Sequence, residues 1–469
     1  MIFNSYVFLF GFLPILLIIY YGVLHTIKAR NAWLTVMSYV FYGWWNPLFC
    51  LLMMASTASD YVIGKHLYQA KTEKRRKLLM TLTVIVNLSV LGFFKYYNFF
   101  SINLNHLFAW LHLPTYAPVI ADLVLPVGIS FYTFESLSYT IDIYRREVKP
   151  ANNIIDFFCF ISLFPHLIAG PIMRYVDLNR QLENREHSEG KFAVGIVFFV
   201  TGLLKKLILA DNVAPLADAL FNAKAATTTL DAWLGSLAYT MQIYFDFSAY
   251  SDMAVGLGLM IGFEIIQNFN SPYQATSVQD FWRRWHISLS NWLRDYLYVP
   301  LGGNRKGKRR TYVNLILVML LGGLWHGAGW TFIIWGLYHG VLQAIERALG
   351  DKHPLKQLPV WGQRLATFLL VLVGWVFFRA ANFTVAFRIL GNLVGYSSQH
   401  GPLPVTLARP LSGLLFLIFA TVVSMSYPNL WTQPVRLNLR TALLYGGGLL
   451  VSIILVLTRQ NSPFLYFQF

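Results

Sequence analysis

The stretch "MLLGGLWHGAGWTFIIWGLYHG", Met319 to Gly340, sets a histidine, His326, among glycines and tryptophans in the middle of an apolar segment. In a chain folded in lipid, an ionisable side chain at depth is expensive and is a candidate for function by default. The segment around it, Tyr312 to Ile345, is longer than the roughly 20 residues that one untilted span needs. Gly322, Gly323, Gly327 and Gly329 surround the histidine, so a break, a bend or close packing is expected there. Such glycines also leave room for a ligand to approach the backbone. His339, in "LYHG", lacks that setting and is expected to be hydrogen-bonded packing.

Composition extends the reading to the whole chain. Of 469 residues, 56% are hydrophobic and 12% charged, which describes a polytopic membrane protein with one integral domain, 1–469. Candidate spans run over Val7 to Leu24, Ala32 to Trp45, Leu48 to Leu67, Leu78 to Phe94, Val119 to Ile143, Ile154 to Ile172, Phe192 to Ala210 and Trp233 to Gly262. Tyr312 to Ile345, Leu365 to Phe378, Leu411 to Val423 and Ala442 to Leu457 follow, and the shorter ones can be re-entrant. The polar stretches Arg174 to Lys191 and Gly350 to Arg364 read as loops.

The formal charge is +16. The cations cluster between apolar runs, in "KTEKRRK" (Lys71 to Lys77), "YRREVK" (Tyr144 to Lys149) and "NRKGKRR" (Asn304 to Arg310). They read as cytoplasmic loops under the positive-inside rule, and no nucleic-acid partner is expected. The N-terminal apolar segment lacks a basic n-region and reads as a retained anchor starting outside. Ala32 to Leu67 would then form a hairpin turning at "WWNP". Two cysteines, Cys50 and Cys159, suggest neither a disulfide framework nor a thiolate metal site.

Other polar groups enter the apolar runs. Glu135 and Asp142 are expected to hydrogen-bond to Tyr or Ser neighbours. Asp246 and Tyr250 share a helix face, as do Ser248 and Asp252, but the two carboxylates are six residues apart and do not form a coupled pair. Gly256, Gly258 and Gly262 would admit a neighbouring helix. "FWRRWHISLSNWLRDYLY", Phe281 to Tyr298, wound at ~100° per residue, puts Arg284, Ser288, Asn291 and Asp295 on one stripe. Phe281, Trp285, Leu289, Trp292 and Tyr296 lie opposite, which describes an amphipathic interfacial helix. His286 falls at the margin of its apolar face, where it would serve either an aromatic belt or a site.

Imidazole suits proton transfer near neutral pH. One histidine can deprotonate an alcohol that attacks a thioester or ester carbonyl while a second donor steadies the oxyanion, and His326 and His286 could fill those roles. No Gly-x-Ser-x-Gly elbow and no phosphate-cradling Gly-rich loop occurs. Two histidines without ligand-spaced carboxylates or thiolates do not make a metal site, so no bound metal is expected.

"FWRRWHISLSNWLRDYLYVPLGGNRKGKRRTYVNLILVMLLGGLWHGAGWTFIIWGLYHG" resembles the signature region of the membrane-bound O-acyltransferase family, in its bacterial branch concerned with alginate O-acetylation. The similarity continues through "VFLFGFLPILLIIYYG", "LPVGISFYTFESLSYTIDIYR", "FPHLIAGPIMR", "YFDFSAYSDMAVGLGLMIGF" and "SPFLYFQF". The resemblance implies an all-α ring of about 11 transmembrane helices, with re-entrant or interfacial helices, around a central tunnel. It places the catalytic histidine at His326 and the second active-site histidine at His286.

It further implies a cytoplasmic acyl thioester donor, acetyl-CoA, with no permanently bound cofactor. The acetyl group would leave on the periplasmic side of the bacterial inner membrane, for a periplasmic polysaccharide acetyltransferase and accessory proteins that modify an exported polysaccharide. On the extended motifs alginate ranks first, while the link from Tyr427 to Arg440 is short where alginate-type chains can carry a longer polar insertion, which leaves cellulose or another envelope polymer open. Teichoic-acid D-alanylation is more distant. The rivals from other classes are a transporter, with His326 and Asp246 lining a pathway, and a structural subunit of an export complex.

Overall fold

Apolar runs become helices wherever proline and glycine do not interrupt them. The computed structural model describes residues 1–223, 227–396, 411–459 and 462–465. Among these, β pairing is confined to one isolated bridge, Phe269 with Trp285. Five helices among them are long and apolar enough to cross a membrane: Glu73–Trp110, Glu189–Phe221, Val360–Arg379, Leu411–Thr432 and Leu439–Thr458. The chain forms two compact units, Met1–Phe192 with Leu257–Ile265, and Ala193–Gly256 with Ile266–Phe469.

The first unit is built on helices α1 (Phe8–Gly22), α2 (Ile27–Gly43), α3 (Leu48–Gln69), α4 (Glu73–Trp110), α5 (Ile129–Arg145), α6 (Ile154–Ser162) and α7 (Tyr175–Glu183). Phe3, Phe8, Phe12, Phe41 and Phe164 meet in one aromatic cluster, with ring centroids 5.1 to 6.4 Å apart along the contacts of Phe3 and Phe12. The expected span Val119 to Ile143 is only half helix, because Pro114, Pro118 and Pro126 remove backbone donors before Gly128 turns the chain at φ 77° into α5. Asn98 and Asn105 of α4 pair instead with the backbones of Ile120 and Ala117. Ile154 to Ile172 likewise stops being helix after Ser162, in a stretch that carries Pro165, Gly170 and Pro171.

Two polar stretches are not simple loops. Thr72 caps α4 by accepting from the Arg75 N–H, so "EKRRK" is the first turn of that helix. The polar stretch Arg174 to Lys191 holds α7, whose start is closed by Asp177 against Arg174.

The second unit comprises α8 (Glu189–Phe221, in this unit from Ala193), α9 (Thr229–Met260, in this unit to Gly256), α10 (Val278–Arg284), α11 (Ile287–Leu293), α12 (Gly307–His326) and α13 (Trp330–Leu349). They are followed by α14 (Val360–Arg379), α15 (Phe383–Leu393), α16 (Leu411–Ser426) and α17 (Leu439–Thr458). A shared core draws on α8, α9, α10 and α14, with Trp285, Trp335 and Trp375 among its fully buried members. Gly202 and Gly256 let α8 and α9 touch backbone to backbone: a Cβ at Gly256 would lie 2.5 Å from the Gly195 carbonyl oxygen. Gly258 and Gly262 have another job, since the chain leaves α9 there through Gly262 at φ 85°.

Candidate active site

The expected continuous helix from Phe281 to Tyr298 is broken at the histidine. α10 ends at Arg284, Trp285 is extended, and His286 sits in the left-handed region at φ 45°, ψ 55° before α11 begins. The break is imposed from outside the local sequence. Asn270 donates its N–H to the Arg284 carbonyl at 2.9 Å, and Ile287 donates to the Asn268 carbonyl at 3.0 Å, clamping both flanks of the kink. The Asn268 side-chain oxygen then accepts from the Ser288 N–H at 3.1 Å and the Ser288 hydroxyl at 2.6 Å. This is the capping bond that an N-cap side chain would ordinarily supply, and it leaves the imidazole out of helix capping. A non-glycine residue in this conformation costs on the order of 1–3 kcal/mol and marks sites where the surroundings hold it in place.

The expected apolar flank, Phe281, Trp285, Leu289, Trp292 and Tyr296, is buried, and Arg284, Asn291 and Asp295 of the polar stripe stay partly exposed, but Ser288 is as buried as Leu289 and His286 has 0% exposure.

His326 is reached from the other side. It is the last residue of α12, and Gly327 to Gly329 carry the chain into α13, so Tyr312 to Ile345 is two helices folded on each other. Their glycines face backbone: a Cβ at Gly323 would lie 2.2 Å from the Phe332 carbonyl oxygen, and one at Gly336 2.3 Å from that of Met319. The expected break and the expected close packing therefore occur together.

The two histidines come side by side, with ring centroids 6.1 Å apart. Phe247 of α9 meets the His286 ring edge-on at 4.7 Å. Trp325, Trp335 and Phe378 surround His326 at 5.0, 5.1 and 5.2 Å, and the ring retains 4% exposure. Both imidazoles are thereby screened from bulk water.

His339 packs as expected. Its Nδ1 accepts from the Trp282 indole N–H at 3.3 Å, and its ring lies 5.2 Å from Trp335, so it holds two of the aromatic side chains near the site. Asp246 is not an open pathway group: Lys206 Nζ lies 2.7 Å from it and 2.9 Å from Asp211. Asp252 pairs with Lys205 at 2.6 Å. Glu135 has partners other than the expected Tyr or Ser: its Oε1 lies 2.9 Å from His166 Nδ1 and accepts from the Met173 N–H at 3.1 Å.

Reading the sequence alone passed over His166 and Lys206, although each is a polar residue in an apolar run, the same signal that picks out His326. It also passed over Asn268 and Phe247, which carry no local signal.

The family model described as MBOAT, membrane-bound O-acyltransferase family, matches residues 44–386. The probable alginate O-acetylase AlgI of Pseudomonas putida is 47% identical, covering 100% of both chains. A peptidoglycan O-acetyltransferase of Helicobacter pylori is 38% identical over 84% of this chain and 80% of its own. A teichoic acid D-alanyltransferase of Bacillus subtilis is 32% identical over 47% of this chain and 58% of its own.

Proposed function

Because this chain belongs to the membrane-bound O-acyltransferase family, we propose that it transfers acetyl groups for the O-acetylation of an exported polysaccharide, alginate first, with His326 and His286 as the reacting pair. It is a membrane-embedded O-acyltransferase. The observation that carries the site assignment is the meeting of two buried imidazoles, one of them held in a left-handed backbone conformation, inside an aromatic shell.

In this reading His326 takes the proton of the acceptor hydroxyl as its oxygen attacks the carbonyl of an acyl thioester. His286 donates a hydrogen bond to the oxyanion. Collapse of the tetrahedral intermediate forms the ester and expels the thiolate, to which His326 returns its proton. Acetyl-CoA on the cytoplasmic side is the donor, and a periplasmic acetyltransferase with accessory proteins places the group on the polymer. The fold is the family's ring of about 11 spans around a tunnel, in the bacterial inner membrane. The sequence resemblance supports these last points.

The name of the Pseudomonas putida relative favours alginate. That of the Helicobacter pylori relative supports a second envelope polymer, peptidoglycan. The test is the acetyl content of secreted polysaccharide and of peptidoglycan from cells carrying wild type or His326→Ala at matched membrane levels. Loss of a general base lowers turnover by ~10² to 10⁴, so one polymer should still be made and should lose its acetyl groups. Full acetylation of both would remove His326 from the mechanism, and loss of export with normal acetylation per polymer would point to a transporter.

A further inference from the structure

The residues that clamp the kink at His286 are themselves clamped from behind. Their second support is the link between α16 and α17, residues 427–438, and the Phe269 carbonyl is where it takes hold. Asn429 Nδ2 donates to that carbonyl at 2.8 Å and the Trp431 indole N–H at 2.7 Å. The Asn429 side-chain oxygen accepts from the Ser271 N–H at 2.9 Å and from the Tyr244 hydroxyl of α9 at 3.2 Å. Asn429, Phe269, Ser271 and Tyr244 are all buried, so water cannot stand in for a partner that is removed.

The geometry is that of a short extended segment with two hydrogen-bonding edges. The Asn268 carbonyl and the Asn270 N–H face the kink, where they meet Ile287 and Arg284, and Phe269 bridges to Trp285. The Phe269 carbonyl and the Ser271 N–H face the other way, toward Asn429. The Phe269 ring adds a second route, 5.0 Å from Trp285 and 5.0 Å from Phe247, and Phe247 is the ring set edge-on against His286.

Backbone strain follows the same line. Ser271 stands at φ 44°, ψ 60° and His286 at φ 45°, ψ 55°. Among the described residues of the second unit they are the only non-glycine positions with positive φ. Such conformations persist where the surroundings over-determine them. Here the surroundings come from far along the chain, since Asn429 lies 158 residues beyond Ser271.

We propose that Asn429, assisted by Trp431, is a positioning residue for His286. It fixes residues 268–271, which set the kink and with it the direction of the imidazole. This inference rests on the acyl-transfer reading above, in which His286 steadies the oxyanion. A donor of that kind works because its place is fixed before charge develops, and a misplacement of about 1 Å can cost ~10²-fold in rate.

The test reads the initial rate at which acetyl groups appear in secreted polysaccharide, at matched membrane levels of the protein. The chains compared are wild type, Asn429→Ala, Trp431→Phe, the Asn429→Ala/Ser271→Gly double variant and His286→Ala. Amide hydrogen exchange of the same full-length proteins in lipid nanodiscs reports the backbone. Asn429→Ala should lower the rate roughly 10- to 10²-fold, with faster exchange confined to residues 268–271 and 284–288. Trp431→Phe keeps a ring and removes one of the two bonds to the Phe269 carbonyl, so it should lower the rate less. It carries the test if the Asn429→Ala chain fails to reach the membrane. Adding Ser271→Gly to Asn429→Ala should restore part of the rate, because glycine takes up the left-handed backbone without being held there.

A wild-type rate in both Asn429→Ala and Trp431→Phe overturns the inference, because His286 then needs no such support. So does a loss of rate with faster exchange throughout α12 and α14 and no recovery on adding Ser271→Gly, which would make Asn429 a general stabiliser of the unit. Either result leaves the acyl-transfer reading standing. Full acetylation by His286→Ala instead removes His286 from that reading, whatever Asn429 does.

Discussion

At the scale of a single residue, His286 combines a chemical role with a backbone one, and substitution can separate them. Its φ of 45° is one that glycine adopts freely and alanine does not. His286→Gly and His286→Ala both delete the imidazole, but only Ala retains the left-handed strain. Thermal unfolding should place the Gly variant above the Ala variant by about 1 kcal/mol, with acetyl transfer reduced in both. Equal stabilities would mean that the kink relaxes once the ring is gone.

His187 offers a pH test away from the membrane spans. Burial, then the nearby Arg30 and Arg185 cations, hold its pKa down to about 4, with Lys191 adding to the same effect and a backbone bond at Ile261 opposing it. Arg30 donates to Nδ1 at 3.3 Å. Nε2–H is then left to donate to the Tyr20 oxygen at 2.8 Å, because the Tyr20 proton goes to the Ile261 carbonyl and Arg185 Nε donates to the same oxygen at 3.0 Å. The network requires a neutral ring. Its contribution is complete above the unfolded pKa near 6.5 and is lost as pH falls from there to about 4. A His187→Gln variant should lose stability more shallowly than wild type across that window, as thermal melts at pH 7, 5.5 and 4.5 would show.

At the scale of elements, the α12–α13 hairpin depends on glycine because backbone lies where a Cβ would go. Gly336→Ala would set a methyl 2.3 Å from a carbonyl oxygen that sits in a helix and cannot move alone. Overpacking of this kind costs typically 1–3 kcal/mol and sometimes more. The variant should show a lowered Tm together with reduced acetyl transfer, since His326 ends the same helix, whereas Gly329→Ala should be mild because its nearest side-chain neighbour lies 3.5 Å away. Equal effects at the two glycines would contradict the packing argument.

Elements are also where the legibility of the sequence changes. The hairpin and its histidine were readable because four glycines crowd one apolar run, a purely local signal. The kink at His286 was not, because a helical pattern continues on both sides of it and the backbone groups that break it belong to Asn268 and Asn270, outside the segment. The non-helical stretch before α5 was overlooked for the opposite reason: high hydropathy masked Pro114, Pro118 and Pro126, which decide the backbone whatever the side chains prefer.

At the scale of the whole molecule, the fold of the second unit is tied together by charges hidden in its spans. Lys206, 2% exposed, holds Asp246 and Asp211. It also donates to the Pro463 carbonyl at 3.2 Å, while Leu465 N–H donates to Asp246 at 2.8 Å. Phe464 closes over Tyr250 with ring centroids 5.0 Å apart. One ion pair thereby joins α8, α9 and the C-terminal segment, and the next residue along α9, Phe247, is the ring against His286. Breaking a buried pair from one side costs about 3–5 kcal/mol, whereas replacing both charges with apolar groups can be nearly neutral. Lys206→Met and Asp246→Leu should each strongly lower the thermal stability of the protein, loosen residues 462–465 to proteolysis and reduce acetyl transfer through Phe247. The double variant should be more stable than the sum of the two losses predicts, by a coupling of about 0.5–3 kcal/mol. A transport pathway through Asp246 demands the reverse pattern, with stability untouched by Asp246→Leu and polymer export lost, so one set of thermal melts read beside one export assay separates a structural charge from a conducting one.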